Sequence, residues 1–460
     1  MNERYSPTQM HHALAALAGS TKSTPYEGHL WLVGGAVRDK LLGKSEPTDF
    51  DVVTEMDAIT LAHNLWEREV SDIFPVIYPR FGTAMVRIGG AQIELITARR
   101  ESYEDDSRKP DVEPATLEDD ARRRDFTVNT LLENIHTEEL RDPLGTGLQD
   151  LKDKLLRTPL NPRATFYEDP LRMLRAIRFK QQLGFELVPG IEDAVVAQSD
   201  RLSIISEERI RDEWVKMLLL PGASESMRDL LKLDLLPLFA PEFEDMVGVE
   251  QGSYHHLDVW DHTLLVLDNI GPGNLTLSLG ALLHDVGKPQ TRFVDDEGNT
   301  RFFGHEGLGA QIAYRMLQRL KFSNEQIAPV VLLVRNHMRL GSMHEFTASA
   351  ARRLIRDMDG EVEDLLQLVE ADTLALRPGL KTLELAPIRE RLAEVKQVTP
   401  RSSLESPLSG EEIMELTGLE PGPEVGRLKS ILLDRVLEGE LVPGDKEGAE
   451  KLVRSVHKQL

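Results

Sequence analysis

The stretch Leu32-Val-Gly-Gly-Ala-Val-Arg-Asp-Lys-Leu-Leu-Gly43, continued by KSEPTDFDVVT (44–54), decides how the chain is read. An apolar run ends in Gly34-Gly35, a short amphipathic segment follows, and a strand-like run carries Asp49 and Asp51. In a strand, residues i and i+2 share a face, so the two aspartates project together. Paired carboxylates repel unless a cation lies between them, and Mg²⁺ suits such hard oxygen ligands. Glycines let backbone amides approach phosphates, and a helix beginning near Ala36 adds its positive N-terminal end. Arg38, in the first turn of that helix, is placed to reach the same oxygens. In isolation these signals equally describe a tight turn beside an exposed strand face.

Around this stretch, HLWLV (29–33), DFDVV (49–53), FPVIY (74–78), TAMVRI (83–88) and QIELITA (92–98) read as strands, rich in β-branched and aromatic residues between Gly and Pro punctuation. AITLAHNLWEREV (58–70) reads as an amphipathic helix. The expectation is a small α/β head with about four or five strands. Glu94, on the last of these strands, is a candidate third carboxylate. Such a set is what two-metal phosphoryl transfer requires, one metal at the attacking hydroxyl and one at the triphosphate.

Composition bounds the rest. A length of 460 residues implies several domains, and 41% hydrophobic with 28% charged residues describes a globular chain. With no cysteine, disulfides, thiolate zinc sites and thiol catalysis are excluded. The N-terminus has no signal-peptide build and no run reaches the ~18 apolar residues of a membrane span, so a cytoplasmic location is expected. A net charge of −23 argues against broad, non-specific nucleic-acid binding but leaves room for a local basic groove. Residues 101–120 are polar and acidic and read as a mobile connection. Residues 161–240 read as helices, 254–375 as a histidine-bearing helical block, and 397–410 as a linker before a helical tail.

The combination GG-x-VRD-x-LLG followed by DFD resembles the head of the class II tRNA nucleotidyltransferases, the CCA-adding enzymes and their bacterial poly(A) polymerase relatives. RRRDFTVNTLL (122–132) resembles that family's second motif, which implies ribose and triphosphate contacts for Arg123, Arg124, Asp125 and Asn129, with Thr130 where alanine is usual. Asp39, beside Arg38, falls in the first motif and joins Gly34 and Gly35 in the implied nucleotide site. RDPLGTGLQDL (141–151) resembles the third motif, with Asp142 expected to couple the head to the next domain. YEDPLRMLRAIRFK (167–180), read as a helix, places Arg172, Arg175 and Arg178 in a row beside the apolar ridge of Leu171, Leu174 and Ile177. Without the resemblance this is an amphipathic helix with a solvated arginine row. With it, Asp169 and Arg172 act as a protein template for the incoming base, and Arg175 and Arg178 support the pocket or the primer backbone. A carboxylate and a guanidinium can match the edge of C or A by hydrogen bonds. RLSIISEERIRDEWVKML (201–218) resembles the fifth motif and is assigned a bracing role, with Ser206 as helix cap.

A second constellation lies further along the chain. His262, the His284-Asp285 pair of LLHDVGK, His305, His337 and Asp372 recur through the helical block. They resemble the ligand series of an HD-type metal-dependent phosphohydrolase domain. Imidazole and carboxylate donors without thiolate suit Mn²⁺, Ni²⁺, Fe or Mg²⁺. Lys288 reads either as a phosphate binder or as a cation at a helix C-terminus. His255 and His256 read as structural or substrate-edge residues. In the tail, GLEPGPEVGRLKSILLDRVLEGEL (418–441) reads either as an RNA phosphate contact near Gly426 or as a helix docking on the HD block.

The expectation is therefore an α+β protein. It comprises an N-terminal extension (1–28), a polymerase-β-type nucleotidyltransferase head with a mixed sheet (29–150), a helical neck with the base-selecting motif (151–244), an HD domain (245–396), and a linker with helical tail (397–460). The resemblance implies addition of CCA to tRNA from CTP and ATP with Mg²⁺, without membrane or DNA as partner. It leaves open CC-only, A-only or poly(A) addition, because the segment before Arg122 helps the family switch from C to A and is here a few residues shorter, though it keeps Asp105-Asp106-Ser-Arg108. Two other classes compete: an RNA-end phosphohydrolase whose head only binds, and a non-catalytic RNA-binding module.

Overall fold

Alternating β-branched and polar residues lay down a mixed seven-stranded sheet whose strands lie in the order Val76–Tyr78, Thr83–Ile88, Ala91–Thr97, Phe50–Thr54, Trp31–Val33, Leu132–Asn134 and Leu140–Arg141. The computed structural model describes residues 7–44, 50–102, 111–252, 254–341, 345–379, 383–398 and 404–457. Asp49, Asp105, Asp106 and Arg108 lie outside these. The chain divides into two compact units, Met1–Pro241 and Glu242–Leu460.

In the first unit, α1 (Pro7–Thr21) precedes β1 (Trp31–Val33), α2 (Gly35–Leu41), β2 (Phe50–Thr54), α3 (Ala58–Glu67), β3 (Val76–Tyr78), β4 (Thr83–Ile88) and β5 (Ala91–Thr97). The five expected strands are all present, and Asp57 caps α3 by accepting from the amides of Ile59 and Thr60. Trp31, Val33, Val53, Ile96 and Leu132 close one face into a buried cluster with Leu117 and Ala98. Of the connection read as mobile (101–120), residues 103–110 lie outside the described residues, and the parts on either side have regular structure. They contain a hairpin, β6 (Arg99–Ser102) with β7 (Asp111–Pro114), and α4 (Leu117–Arg122), whose Thr116 and Asp119 form a reciprocal capping box. The sheet is also wider than expected. It takes in β8 (Leu132–Asn134) and β9 (Leu140–Arg141), which are too short to show a period-two pattern and are recruited by pairing Leu132 with Val33.

The later helices of this unit are α5 (Gly147–Asp153), α6 (Pro162–Glu168), α7 (Leu171–Leu183), α8 (Ile191–Val196), α9 (Glu207–Leu218), α10 (Ala223–Lys232) and α11 (Leu236–Phe239), with a short parallel ladder joining Leu155–Leu156 to Glu186–Leu187. Asp142, expected to couple head and neck, bonds within its own turn, accepting from the amides of Gly145 and Leu148. Thr130 fits in alanine's place because its buried hydroxyl donates to the Thr127 carbonyl at 2.8 Å. Ser206 holds the N-cap position of α9 without a side-chain cap bond.

The expected single helix over 167–180 is broken. Pro170 has no N–H to donate and restricts the residue before it, so Asp169 is extended at φ −136°, ψ 100° between α6 and α7. The arginine row of α7 is not solvated either. Arg172 and Arg178 are buried, and the Arg178 Nε donates to Glu213 of α9 at 2.6 Å.

The second unit holds α12 (Val259–Ile270), α13 (Leu275–Leu283), α14 (Lys288–Thr291), α15 (His305–Arg319), α16 (Asn324–Asn336), α17 (Ala348–Asp357), α18 (Val362–Leu374), α19 (Leu385–Val398), α20 (Gly410–Thr417), α21 (Pro423–Glu438) and α22 (Lys446–His457). Near its C-terminal end α21 docks on α17. Arg353 pairs with Asp434 at 3.1 Å and Glu438 at 2.9 Å, and the Arg352 Nε donates to the Leu437 carbonyl. Among the described residues no helix is long and apolar enough to cross a membrane.

Truncating one member of a buried ion pair strands the other charge, at a cost of about 3–5 kcal/mol. Glu213→Ala is therefore expected to destabilise the first unit by roughly that amount in urea unfolding, and adding Arg178→Met recovers much of the loss.

Candidate functional site

Strand register assembles the first site. Val33 pairs with Asp51 across antiparallel β1 and β2, and Asp51 pairs with Glu94 across parallel β2 and β5. Asp51 thus lies between the glycine turn after Val33 and the Glu94 carboxylate. Gly34 adopts φ 80°, and a Cβ there would sit 3.9 Å from both Asp51 Oδ2 and Arg124 Nη1. A side chain at this position would be strained and would fill the gap between the carboxylate and the guanidinium. Gly35 comes next as the first residue of α2. Burial and the neighbouring Asp51 charge raise the Glu94 pKa, as expected of two carboxylates converging without a cation.

The arginines are organised by acids that the sequence motifs do not highlight. Asp120, only 2% exposed, accepts from Arg123 at 2.6 Å and from Arg124 at 2.9 Å. Burial would raise its pKa, but the two guanidinium groups bring it below the usual value. Asp125 is buried and saturated. Its Oδ1 accepts from the Phe126 amide and Asn129 Nδ2, and its Oδ2 from Arg175 Nε at 2.8 Å. Arg175 overcomes the burial penalty and holds the Asp125 carboxyl far below the usual range. Asn129 in turn accepts from Arg38 at 2.6 Å, and Arg38 closes a fork on Asp39 at 2.8 and 2.9 Å. Arg38 is thus buried and committed to protein partners rather than aimed outward.

Asp169 and Arg172 take different partners. The Arg172 Nη1 donates to Glu168 and to the Thr165 carbonyl, each at 3.0 Å, and its Nη2 donates to the Arg123 carbonyl. Asp169 accepts from Arg209 of α9 at 3.2 Å. The segment assigned only a bracing role therefore supplies a side chain to Asp169. The recurrence of basic residues in EERIR was the available signal.

The second site lies wholly in the second unit. His262 comes from α12, while His284 and His337 cap the C-terminal ends of α13 and α16. Asp285 is next to His284, His305 opens α15, and Asp372 comes from α18. Two groups result, His262 with His284 and Asp372, and Asp285 with His305 and His337; within each, the ligand atoms lie within 4.8 Å of one another. The Nδ1 atoms of His284, His305 and His337 lie 2.7, 2.8 and 2.7 Å from the Ala281, Phe302 and Val334 carbonyls. This fixes each ring with Nε2 facing inward, as in metal-binding histidines. The buried Nε2 atoms of His262 and His284 lie 3.0 Å from Asp372 Oδ1 and 3.1 Å from Asp285 Oδ2, a convergence of imidazole nitrogens and carboxylates that a cation would complete. Lys288 is not at a helix C-terminus. It opens α14, buried, with its Nζ 2.6 Å from both Asp285 Oδ2 and Gln251 Oε1. His255 packs edge-on against the His262 ring, and His256 is exposed.

Gly287 makes this geometry possible. A Cβ there would lie 2.3 Å from the His305 carbonyl and 2.8 Å from the Gly309 amide, so only glycine lets the His284-Asp285 turn press against α15.

Three stretches of the chain match known protein families. Residues 30–157 match the poly(A) polymerase head domain, 184–247 a probable RNA- and SrmB-binding site of polymerase A, and 252–377 the HD domain. The CC-adding tRNA nucleotidyltransferase of Thermus thermophilus is 35% identical over 91% of this chain and 91% of its own. The A-adding tRNA nucleotidyltransferase of Deinococcus radiodurans is 36% identical over 91% and 93%. The Bacillus stearothermophilus CCA-adding enzyme, solved with CTP, shares the fold with a TM-score of 0.70 at 22% identity, covering 99% of this chain and 100% of its own. The fold and the paired sites define a metal-dependent nucleotidyltransferase with an appended HD domain. The chain belongs to the tRNA nucleotidyltransferase family.

These geometries lead to two expected outcomes. The stability that Asp125 draws from Arg175 is full above the unfolded carboxyl pKa of about 3.9 and is lost as pH falls toward its lower folded value. The unfolding free-energy gap between wild type and Asp125→Asn should be constant from about pH 5 to 8 and shrink below about pH 4 in chemical denaturation. Gly287→Ala should weaken Mn²⁺ binding to the second site roughly 10- to 100-fold by calorimetry, the range typical of lost ligand positioning.

Proposed function

We propose that this chain builds the 3′-terminal CCA of tRNA from CTP and ATP without a nucleic-acid template. The observation that carries the reading is the register that sets Asp51 beside Glu94, with Gly34 and Arg124 adjoining. Asp49 and Asp51 hold Mg²⁺, with Glu94 completing the carboxylate set. When bound, Mg²⁺ supplies the charge that activates the 3′-hydroxyl and offsets the triphosphate. Gly34 and Gly35 leave room for the phosphates, and Arg123 and Arg124, preset by Asp120, face the developing negative charge. Asp125, Asn129, Arg38 and Asp39 hold that cradle to the neck. Asp169, steadied by Arg209, and Arg172, steadied by Glu168, present the acceptor and donor that select C or A; a mismatched base leaves one of them unpaired, at about 1–3 kcal/mol. Arg175 and Arg178 support the pocket from behind.

His262, His284, Asp285, His305, His337 and Asp372 hold one or two divalent ions (Mn²⁺, Ni²⁺, Fe or Mg²⁺) and make the HD domain a phosphohydrolase of RNA 3′ ends. Lys288 orients Asp285 there. In this reading the five segments bounded at residues 28, 150, 244 and 396 are functional parts of one cytoplasmic enzyme.

A second reading is addition of only CC or only A. It is favoured by the two relatives that match over 91% of the chain, one a CC-adding and the other an A-adding tRNA nucleotidyltransferase. Acceptor tRNAs ending before CCA, after C and after CC, each offered CTP or ATP alone, separate the cases. The CCA reading expects C, C and A in turn, and loss of one step selects the partial enzyme. Asp51→Asn should lower every addition by about 10³-fold while the thermal transition is kept. Hydrolysis of a 2′,3′-cyclic phosphate end should survive Asp51→Asn and be lost in His284→Ala; the reverse pattern would reject two independent sites.

A further inference from the structure

The sheet order places the glycine turn on β1, Asp51 on β2 and Glu94 on β5, and then continues to β4 and β3. The glycine turn thus lies on one side of Asp51 and Glu94 on the other. On the Glu94 side a cleft of about 680 Å³ opens, lined by Tyr78, Phe81, Glu94, Arg99, Arg123 and Arg124 among others. Glu94, Arg123 and Arg124 belong to the proposed transfer site, whereas Tyr78, Phe81 and Arg99 have no part in it.

Two aromatic side chains stand exposed in this cleft, Tyr78 at 48% and Phe81 at 37%. Single exposed aromatics are common on protein surfaces, but two in one cleft with a metal-type carboxylate and three arginines form a built surface. It is also held in place. Phe81 ends a 3₁₀ turn, Pro79–Phe81, closed by the Gly82 amide on the Pro79 carbonyl. The Arg99 Nη1 donates to the Phe81 carbonyl at 2.7 Å, and its guanidinium lies 5.5 Å from the centroid of the Phe81 ring. The Thr97 amide donates to the Gly82 carbonyl at 2.9 Å, so the turn is tied to the strand that carries Glu94.

Resting on the nucleotidyl-transfer reading, we propose that Tyr78 and Phe81 seat the terminal nucleobase of the acceptor RNA by stacking, with its phosphate toward Arg99 and its 3′-hydroxyl toward Asp51 and Glu94. Stacking on an aromatic face accepts any base, since every base has a π-face. A seat of this kind serves each step as the terminal residue changes, while identity is read only on the incoming nucleotide at Asp169 and Arg172.

The test is steady-state addition by Phe81→Ala, Tyr78→Ala and the double variant, with acceptor tRNA and nucleoside triphosphate varied separately. Loss of one stacked base, worth about 1–3 kcal/mol, predicts an acceptor KM raised about 5- to 150-fold, a nucleotide KM changed less than about twofold, and rescue by Phe81→Tyr. An increase in nucleotide KM with acceptor KM unchanged would assign the cleft to the incoming base and overturn the proposal, as would no change in either. Tyr78→Trp supplies a readout independent of turnover: its added fluorescence should be quenched by a tRNA with a free 3′ end and spared by the same tRNA lacking its last four nucleotides. Quenching without any nucleotide addition by wild type would reject the transfer reading and keep the seat. Addition with no such quenching would keep the transfer reading and reject the seat.

Discussion

The buried Asp125 carboxylate is the junction on which the first unit turns. One oxygen is spent on the backbone and Asn129 beside it, the other on Arg175 from the neck helix. Through Asn129 the constraint reaches Arg38 and Asp39, next to the glycine turn. Through Arg175 it reaches α7, where Glu213 neutralises Arg178. Arg38, Arg175 and Arg178 all lie within 5.2 Å of the Phe179 ring centroid, so the aromatic face separates three like charges while each keeps its own acceptor. A charge buried this deeply is tolerated only when every donor and acceptor is matched, so the positions of head and neck are coupled at this point.

That coupling explains how chemistry and selection share one small unit. The carboxylates are set by strand register, which a change in the neck does not alter. Asp169 and Arg172, proposed to select the base, sit at a helix break forced by Pro170, and their orientation depends on α9 and on the Arg123 carbonyl. The carboxylates proposed to react thus lie on paired strands, and the residues proposed to decide identity lie at a helix junction held by neighbouring segments. The HD site is built on a different plan. Its ligands sit largely at helix ends and helix starts, with the rings of His284, His305 and His337 each tethered by Nδ1 to a carbonyl, and a glycine contact brings two of the segments together.

The Gly34-Gly35 turn and the His284-Asp285 turn were legible because each depends on local spacing at a helix end, whereas the convergence of His262, His305, His337 and Asp372 on the second turn was implied only by the family resemblance. The five central strands were legible from local spacing as well. The sheet-edge strands at 132–134 and 140–141 were not, since two or three residues carry no period and owe their conformation to a neighbour. The hairpin and capped helix within 99–122 were hidden by acidic composition, which reports solubility rather than backbone conformation.

What the sequence by itself determined is where carboxylates, glycines and histidines stand in short-range patterns, because charge type and short-range periodicity are written residue by residue. Tertiary structure decided which groups serve them. Asp120 beneath two arginines, Asp125 on Arg175, Arg209 on Asp169 and Glu168 on Arg172 are partnerships set by packing, most of them between segments or across a proline break. Ion pairs of this kind depend on where buried charge finds its complement, and that is known only once the chain has packed.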